Sequence, residues 1–336
     1  MRRLLVLCTM PFTLSAVERM IVDTDCGYFG DDGSTLTMLL RSPEKVRVEA
    51  ITIVSGNVWS ENSARYTQEI LKLLGRSKIP IYMGAEMPLK HTAAMADEEQ
   101  RTWGGLEFRG AFSEPKPATS GRPRGTHAAM ELIRRIQAAP GTITLVALGP
   151  LTNIAIALRQ EPEIAGKIRR LVFMGGQYRV PGNATKEAEF NFWFDPEAAQ
   201  MVLRSSIQEK VMFGLDVCNK ALLDKRGFDQ IVEAETPLTD RFREDFGVRY
   251  PGFLKDPEVV VPLWDSLVSA WLIEPSLFGT PEMLHLDVDA KFGRTYGKVI
   301  DLDRKLAPGA TPVAFINDVK PAEVYQLFRD LLRRRK

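Results

Sequence analysis

The chain has few cysteines and little net charge, and both shortages narrow the classes of protein to which it can belong. Three of its 336 residues are cysteine, Cys8, Cys26 and Cys218, and no two are close in sequence. This spacing indicates neither a disulfide framework nor a zinc site. The formal net charge at pH 7 is +1, so no overall electrostatic field favours nucleic acid or an acidic protein as a partner.

The sequence also lacks low-complexity linkers and internal repeats. After its first residues it has no apolar run long enough to span a bilayer. Hydrophobic residues make up 45% of the chain and charged residues 26%, which is typical of a globular protein with a large core. The simplest prediction is one domain that extends from residue 18 to residue 336.

Residues 1–17 have the pattern of a secretory signal peptide. Two arginines precede an apolar stretch at residues 4–14, and the small residues Ser15 and Ala16 follow. Such a stretch is too short for a stable membrane anchor. We therefore expect a periplasmic or secreted protein; the alternative interpretation is an extra buried strand in a cytoplasmic protein.

Strand-like and helix-like stretches alternate along the rest of the chain. Runs of apolar and β-branched residues predict strands at 20–23, 46–54, 79–84, 142–148, 170–174 and 210–215. Helical spacing of apolar residues predicts helices at 35–40, 60–74, 128–138, 153–159 and 196–203. Residues 85–125 are rich in glycine, proline and charge and are expected to form an excursion over the surface. The alternation predicts an α/β fold, with an open, mostly parallel sheet and helices on both faces.

The most informative segment is Asp23-Thr24-Asp25-Cys26-Gly27-Tyr28-Phe29-Gly30-Asp31-Asp32, which directly follows the first predicted strand. Four carboxylates this close together repel one another unless a cation lies among them. The segment therefore predicts a metal site at the carboxyl end of the strand. Ligands that are all oxygen favour a hard cation, Ca²⁺ or Mg²⁺. The alternative interpretation is a solvated acidic turn that caps a helix.

Further polar residues follow the later strands, where an α/β sheet places its binding groups. They are Ser55-Gly56-Asn57, Gly149 to Asn153, Gly175-Gly176-Gln177, Gly182-Asn183, Glu189-Phe190-Asn191 and Trp264-Asp265. One edge of one sheet would bring these groups together. Asparagine and glutamate in such numbers suit a ligand with several hydroxyl groups.

Taken in order, these segments resemble the calcium-dependent nucleoside hydrolases, meaning the inosine-uridine-preferring type and its purine-specific relatives. The resemblance extends from Ile21 to about Ala270. Besides the segments already named, it rests on Ala147 to Ala155, Met174-Gly175-Gly176, Ala188 to Asn191 with Asp195 to Ala199, and Gly214 to Val217. It implies the nucleoside hydrolase fold, a small nucleoside as the partner and an assembly of two or four identical chains.

The resemblance also implies a role for each matching residue. Asp25, Asp32 and Asp265 would bind Ca²⁺ through their carboxylates, and Leu148 would do so through its main-chain carbonyl. Asp31 would be the general base that takes a proton from a Ca²⁺-bound water. The residues implied to hold the ribose or line its pocket are Asn57, Met174, Asn183, Glu189 and Asn191. The implied reaction is hydrolysis of a ribonucleoside to free base and ribose.

The acidic segment departs from the family pattern in its length. Six residues separate Asp25 from Asp31, two more than in the common family loop, so that Tyr28 and Phe29 are effectively added. The pocket wall must therefore differ, and we expect Tyr28 or Phe29 to contact the base or to gate its entry.

Two tryptophans form the second departure. Trp264 stands where many members carry the histidine that protonates the leaving base, and Trp103 aligns with another family histidine. Indoles that stack on a purine should raise its basicity, so that solvent can protonate it. This arrangement predicts a catalytic role for both tryptophans and a preference for purine nucleosides. The alternative is that one or both indoles pack in the core.

Two other functions remain open from the sequence. One is a non-catalytic nucleoside-binding protein on the same scaffold. The other is a Mg²⁺-dependent phosphotransferase of the haloacid-dehalogenase type, because an Asp-x-Asp motif also follows its first strand. Gly27 stands where that class has threonine or valine. Outside these motifs, Asn153 is interpreted as a structural cap, and His91 as a surface or structural residue.

Overall fold

The computed structural model describes residues 17–117, 125–253, 255–256, 258–302 and 309–334. Residues 1–16 of the predicted signal peptide lie outside the described residues, so export stays a prediction. None of the helices in the described part of the chain has both the length and the apolar character needed to cross a membrane.

Strands and helices alternate through the first two thirds of the chain. The strands are β1 Glu18–Thr24, β2 Val46–Ile53, β3 Ile81–Met83, β4 Ile143–Ala147, β5 Arg170–Met174, β6 Lys210–Phe213, β7 Leu222–Leu223, β8 Val261–Pro262, β9 Glu282–Leu284, β10 Leu286–Val288, β11 Val299–Asp301 and β12 Val313–Phe315. The helices are α1 Ser34–Leu40, α2 Ser60–Leu73, α3 Ala93–Thr102, α4 Ala128–Ala138, α5 Thr152–Gln160, α6 Phe190–Phe194, α7 Pro196–Leu203, α8 Leu215–Cys218, α9 Lys225–Val232, α10 Pro237–Arg249, α11 Trp264–Ile273 and α12 Pro321–Arg333. A turn of π-helix at Phe29–Gly33 leads into α1.

Eight of the described strands form one sheet, in the order β3-β2-β1-β4-β5-β6-β12-β9. All neighbouring strands are parallel except β9, which pairs antiparallel with β12. The chain moves from β1 to β2 and β3 on one side, then returns to place β4 on the other side of β1. In open α/β sheets the ligand crevice lies at such a switch point, outside the carboxyl ends of the strands.

Helices cover both faces of the sheet. Alternate side chains of a strand point to opposite faces, and in β1 Met20 and Val22 pack into one apolar cluster while Ile21 packs into another. The first cluster contains residues of α1, α11 and α12, and the second contains residues of α4, α5 and α7. This arrangement confirms the predicted α/β class.

The predicted elements agree closely with the observed ones, and the surface excursion is the main exception. The helix at 128–138, the strand at 170–174 and the helix at 196–203 have the predicted bounds. The excursion, by contrast, contains the ten-residue helix α3. The side chain of Thr92 caps the N-terminus of this helix by accepting a hydrogen bond from the Met95 amide. Residues 93–102 are mostly polar, and of them only Ala96 and Glu99 are buried, so the weak apolar stripe gave no helical signal.

Candidate active site

A cavity of about 230 Å³ opens at the carboxyl edge of the sheet, beside β1. Its walls combine residues that the sequence predicted for the site with further, mostly aromatic residues, of which only Tyr28 was expected there. The predicted ones are Asp31, Asn57, Leu148, Met174, Asn183, Glu189, Asn191, Trp264 and Asp265. The others are Tyr28, Phe108, Phe190, Arg249 and Tyr250. Parallel pairing explains the convergence, because the loops after β1, β2, β4 and β5 all leave the sheet on this side.

Three carboxylates form a tight cluster at the base of this cavity. Asp31, Asp32 and Asp265 each present an oxygen within 4.8 Å of the others. Burial raises the pKa of Asp32 to about 7, helped by the charge of Asp31. Burial raises the pKa of Asp265 well above its ordinary value, and the charges of Asp31, Asp32 and Asp25 add to the shift. Carboxylates at these distances ionise together readily only when a cation compensates their charge.

The donor set fits a hard metal ion. All of the clustered groups are oxygen donors, as Ca²⁺ and Mg²⁺ prefer. Thr24 donates a hydrogen bond to Oδ1 of Asp32, whereas the buried Oδ2 of Asp32 has no hydrogen-bond partner among the described residues. A buried carboxylate oxygen without a partner is costly, and coordination to a cation would offset that cost.

Asp25 lies beside this cluster and is held rigidly by the loop after β2. Its Oδ2 accepts a hydrogen bond from the main-chain amide of Asn57 at 2.6 Å. The close approach requires glycine at position 56 and position 149, because a Cβ at either would lie less than 3.0 Å from the Asp25 carboxylate. Burial and the neighbouring charge of Asp32 raise the pKa of Asp25 well above its ordinary value. Asp25 is thus placed to share a cation with Asp32.

Asp23 faces away from the cavity and supports the loop from behind. Its Oδ1 accepts hydrogen bonds from the Thr52 hydroxyl and from Nδ2 of Asn153 at 2.8 Å. Burial raises the pKa of Asp23 to about 7, and these two hydrogen bonds oppose the shift. Asn153 also donates to the Ile53 carbonyl and accepts from the Ala85 amide. Asn153 therefore ties β1, β2 and the start of the excursion together, as expected for a structural residue.

Glu189 lines the cavity and is fixed as the N-cap of α6. Its Oε1 accepts from the Asn191 amide at 2.9 Å, and its Oε2 accepts from the Gly176 amide at 2.7 Å and the Phe192 amide at 3.2 Å. Gly176 has a φ of +74°, which turns its amide toward the carboxylate. Burial raises the pKa of Glu189, and the three amide donors oppose that shift.

Asn183 and Asn191 are held by main-chain groups in a similar way. Oδ1 of Asn183 accepts from the Phe190 amide at 2.8 Å. Nδ2 of Asn191 donates to the carbonyls of Leu148 at 2.9 Å and Met174 at 3.2 Å. These bonds fix the polar side chains before any ligand arrives, which reduces the entropy cost of binding.

The two added residues of the acidic segment point in different directions. Tyr28 lines the cavity, as expected for one of the pair. Phe29 is fully buried, and its ring packs edge-on against Phe242, with ring centroids 6.0 Å apart. The insertion therefore contributes one side chain to the cavity and one to the core.

The two tryptophans also separate, and this corrects one assignment. Trp264 lines the cavity at the start of α11. Trp103 is not among the described residues that line the cavity. Its indole packs against Phe292, with ring centroids 5.6 Å apart, and the residue is 38% exposed. Trp103 directly follows α3, and Gly104 and Gly105, both with positive φ, turn the chain there. The structure thus places one indole, not two, at the cavity.

Sequence reasoning did not find Phe108, Phe190, Arg249 and Tyr250 as cavity residues. The guanidinium of Arg249 lies 4.5 Å from the ring centroid of Phe108 and 5.4 Å from that of Tyr28. Arg249 ends α10 and Tyr250 follows it, more than 200 residues from the acidic segment. No local pattern marks these residues, since only the packing of α10 beside the π-helical turn brings them to the cavity.

Comparison with known proteins supplies an independent line of evidence. The family model described as inosine-uridine preferring nucleoside hydrolase matches residues 20–326. A pyrimidine-specific ribonucleoside hydrolase, RihA of Citrobacter koseri, is 37% identical over 261 residues, which are 77% of this chain and 80% of that protein.

Solved structures give the same result for the fold. A plant nucleoside hydrolase superposes with a TM-score of 0.77 at 24% identity, covering 95% of this chain and 99% of that one. A purine-preferring ribonucleoside hydrolase from Gardnerella vaginalis superposes with a TM-score of 0.74 at 25% identity, covering 94% and 98%. Because the plant enzyme is only 24% identical in sequence, its similarity is evidence for the fold alone.

Proposed function

Because the chain belongs to the inosine-uridine preferring nucleoside hydrolase family and is therefore a ribonucleoside hydrolase, we propose that this cavity cleaves purine ribonucleosides to free base and ribose with the help of Ca²⁺. The observation that carries the proposal is the layout of the cavity. Carboxylates and amides line the cavity together with the aromatic rings of Trp264, Tyr28 and Tyr250. The polar groups suit a ribose, and the aromatic rings suit a flat nucleobase.

The groups that would hold the cation are the carboxylates of Asp25, Asp32 and Asp265 and the main-chain carbonyl of Leu148. Asp32 and Asp265 support this assignment because they lie in the tight acidic cluster together with Asp31, and the buried Oδ2 of Asp32 has no hydrogen-bond partner among the described residues. Asp25 is included because its charge acts on that cluster. A bound Ca²⁺ would supply a water of raised acidity and additional oxygen contacts to the sugar.

Asp31 is the proposed general base. It lines the cavity, and its Oδ1 accepts from the Asp265 amide at 3.4 Å while its Oδ2 accepts from the Tyr28 hydroxyl at 3.2 Å. A carboxylate held this way faces the substrate in one orientation, which favours proton transfer from an attacking water. Departure of the nucleobase leaves positive charge on the sugar ring. The surrounding carboxylates would stabilise that charge.

The proposed ribose-binding groups are Asn57, Asn183, Glu189 and Asn191, and Met174 lines the same pocket. Hydrogen bonds with main-chain groups keep Asn183, Glu189 and Asn191 near one geometry. Fixed contacts to the sugar would keep its reacting carbon close to the water, which is a large part of what binding can contribute to rate.

Two observations favour different nucleobases in the substrate, and one experiment distinguishes between them. Trp264 at the cavity supports purines, because stacking area grows with ring size. The similarity to a pyrimidine-specific hydrolase favours pyrimidines as a second candidate. Reducing-sugar release from inosine, adenosine, guanosine, uridine and cytidine would be measured with Ca²⁺ present. A larger kcat/KM for the purines supports the first candidate, and a larger value for uridine or cytidine replaces it with the second.

Asp31→Ala tests whether the protein is a hydrolase of this mechanism. We expect turnover to fall about 100-fold or more, while Asp240→Ala on the exposed face of α10 leaves it unchanged. Normal turnover in Asp31→Ala would exclude Asp31 as the base. Tight nucleoside binding by the wild type without release of reducing sugar would instead indicate a non-catalytic binding protein.

The phosphotransferase alternative receives little support from the site. An Asp-x-Asp phosphotransferase would need both carboxylates at the reaction centre, yet Asp23 is bound by Thr52 and Asn153. Phosphate release with Mg²⁺ and a phosphate monoester would favour that alternative.

Export and self-association complete the proposal. The predicted signal peptide supports a periplasmic or secreted protein, and cell fractionation tests it. The family resemblance supports a homodimer or homotetramer, and sedimentation of the purified chain tests that.

A further inference from the structure

The longer acidic segment places a phenol beside the proposed general base. The backbone of Tyr28 is extended, with φ −166° and ψ 166°, immediately before the π-helical turn that carries Asp31. This geometry brings the Tyr28 hydroxyl to 3.2 Å from Oδ2 of Asp31.

The ring of Tyr28 is held from several directions. Its hydroxyl lies 2.9 Å from the hydroxyl of Tyr250, and the two rings meet edge-on with centroids 6.1 Å apart. Arg249 stacks on its ring at 5.4 Å. Gly30 packs so closely that a Cβ there would lie 2.9 Å from the Tyr28 ring. With 7% of its surface exposed, Tyr28 has little freedom to change its orientation.

The hydrogens of the two phenols can be assigned by counting. A phenol has one proton to donate. If Tyr28 gives its proton to the acceptor-only carboxylate of Asp31, then the bond between the two hydroxyls must be donated by Tyr250. The chain of donation therefore runs from Tyr250 to Tyr28 to Asp31.

Asp31 is then restrained at both oxygens. Tyr28 holds Oδ2, and the main-chain amide of Asp265 holds Oδ1. A carboxylate with two fixed donors cannot rotate freely about its terminal torsion, and each oxygen keeps acceptor capacity for another partner. Misplacing a reacting group by about 1 Å can lower the rate of a reaction about 100-fold.

We propose that Tyr28 is a positioning residue that orients the carboxylate of Asp31 toward the attacking water, and that Tyr250 holds Tyr28 in place. The inference rests on the proposed function, because it assigns Tyr28 to the water side of that reaction. A tyrosine that only contacts the nucleobase of the substrate would act on the leaving-group side instead.

Tyr28→Phe and Tyr250→Phe test the inference, since each removes one hydroxyl and keeps the ring. Two substrates would be compared in the presence of Ca²⁺: inosine, whose base leaves slowly, and 4-nitrophenyl β-D-ribofuranoside, whose leaving group is activated. We expect Tyr28→Phe to lower kcat about 10- to 100-fold on both substrates, with KM changed less than about threefold. Tyr250→Phe should lower kcat on both substrates by a smaller factor. Trp264→Ala should lower kcat on inosine alone.

Calcium affinity, measured by calorimetry on each variant, provides a readout besides activity. We expect it to stay within about twofold of wild type, because Tyr28 contacts Asp31 and none of the proposed ligands. An unchanged kcat in Tyr28→Phe, a loss limited to inosine, or a loss matched by weaker Ca²⁺ binding would each overturn the inference while leaving the proposed function intact. If the wild type hydrolyses neither substrate, the proposed function fails, and this inference fails with it.

Discussion

Gly56 lies directly against the carboxylate of Asp25, so that a Cβ at position 56 would be 2.0 Å from Oδ2 of Asp25. We expect Gly56→Ala to displace this carboxylate and to lower both Ca²⁺ affinity and kcat/KM about 100-fold. Calorimetry and reducing-sugar release would measure the two effects. Gly166→Ala is the control, because a Cβ there meets nothing within 4 Å. Equal behaviour of the two variants would show that the Asp25 carboxylate does not depend on this close packing.

Asn153 provides a test of the support behind the site. Asn153→Ala would remove the Asn153 hydrogen bonds of the Ile53 carbonyl and the Ala85 amide, and would leave Asp23 with Thr52 alone. Because unsatisfied buried polar groups cost about 1 to 3 kcal/mol each, we expect the free energy of unfolding to fall by about 3 kcal/mol in urea denaturation. The exposed Asn219→Ala should change it by less than about 0.5 kcal/mol. A small effect at Asn153 would contradict its structural role.

His91 should make stability depend on pH. The ring is buried between Trp193, Tyr296 and Phe112, and burial lowers its pKa from 6.5 to about 4. The unfolded chain then binds the proton more readily, so stability present above pH 6.5 is lost as the pH falls toward 4. Once the pH is below both pKa values, the free energy of unfolding has fallen by about 3 kcal/mol.

The contribution of His91 can be isolated by comparing urea unfolding of the wild type and His91→Gln between pH 4 and pH 7.5. Other titrating groups are common to both proteins, so the difference between the two curves reports His91. We expect the gap in stability to narrow as the pH falls. Parallel curves across this range would show that His91 does not titrate as its burial implies.

Much of the site was predictable from the sequence because its residues follow strands. Buried parallel strands have continuous apolar runs, and their carboxyl ends share one edge of the sheet. Asp25 and Asn57 could therefore be placed together without coordinates, whereas Leu148 and Met174 were implied by the family resemblance. The composition of the acidic segment predicted a cation site, which stays a prediction.

The remaining wall of the cavity depends on contacts distant in sequence. Phe108 belongs to the excursion, and Arg249 and Tyr250 belong to the end of α10. Their sequence surroundings carry no motif, and only tertiary packing brings them to Tyr28. Trp103 illustrates the opposite error, because an alignment by residue type placed at the cavity an indole that packs on Phe292.

The different positions of the two tryptophans give a matched pair of variants. Stacking of a base on an aromatic ring is worth about 1 to 3 kcal/mol, so Trp264→Ala should lower kcat/KM for inosine about 10- to 100-fold. Trp103→Ala should leave it within about threefold of wild type. A large loss in Trp103→Ala would mean that this indole reaches the substrate after all.

The dependence of hydrolysis on Ca²⁺ tests the central claim most directly. The purified wild type would be treated with EDTA, dialysed, and assayed for reducing-sugar release from each ribonucleoside before and after Ca²⁺ is added back. We expect the chelated protein to lose its activity and Ca²⁺ to restore it, with no restoration in Asp32→Ala. Full hydrolysis by the metal-free wild type would contradict the assignment of the acidic cluster as a catalytic calcium site.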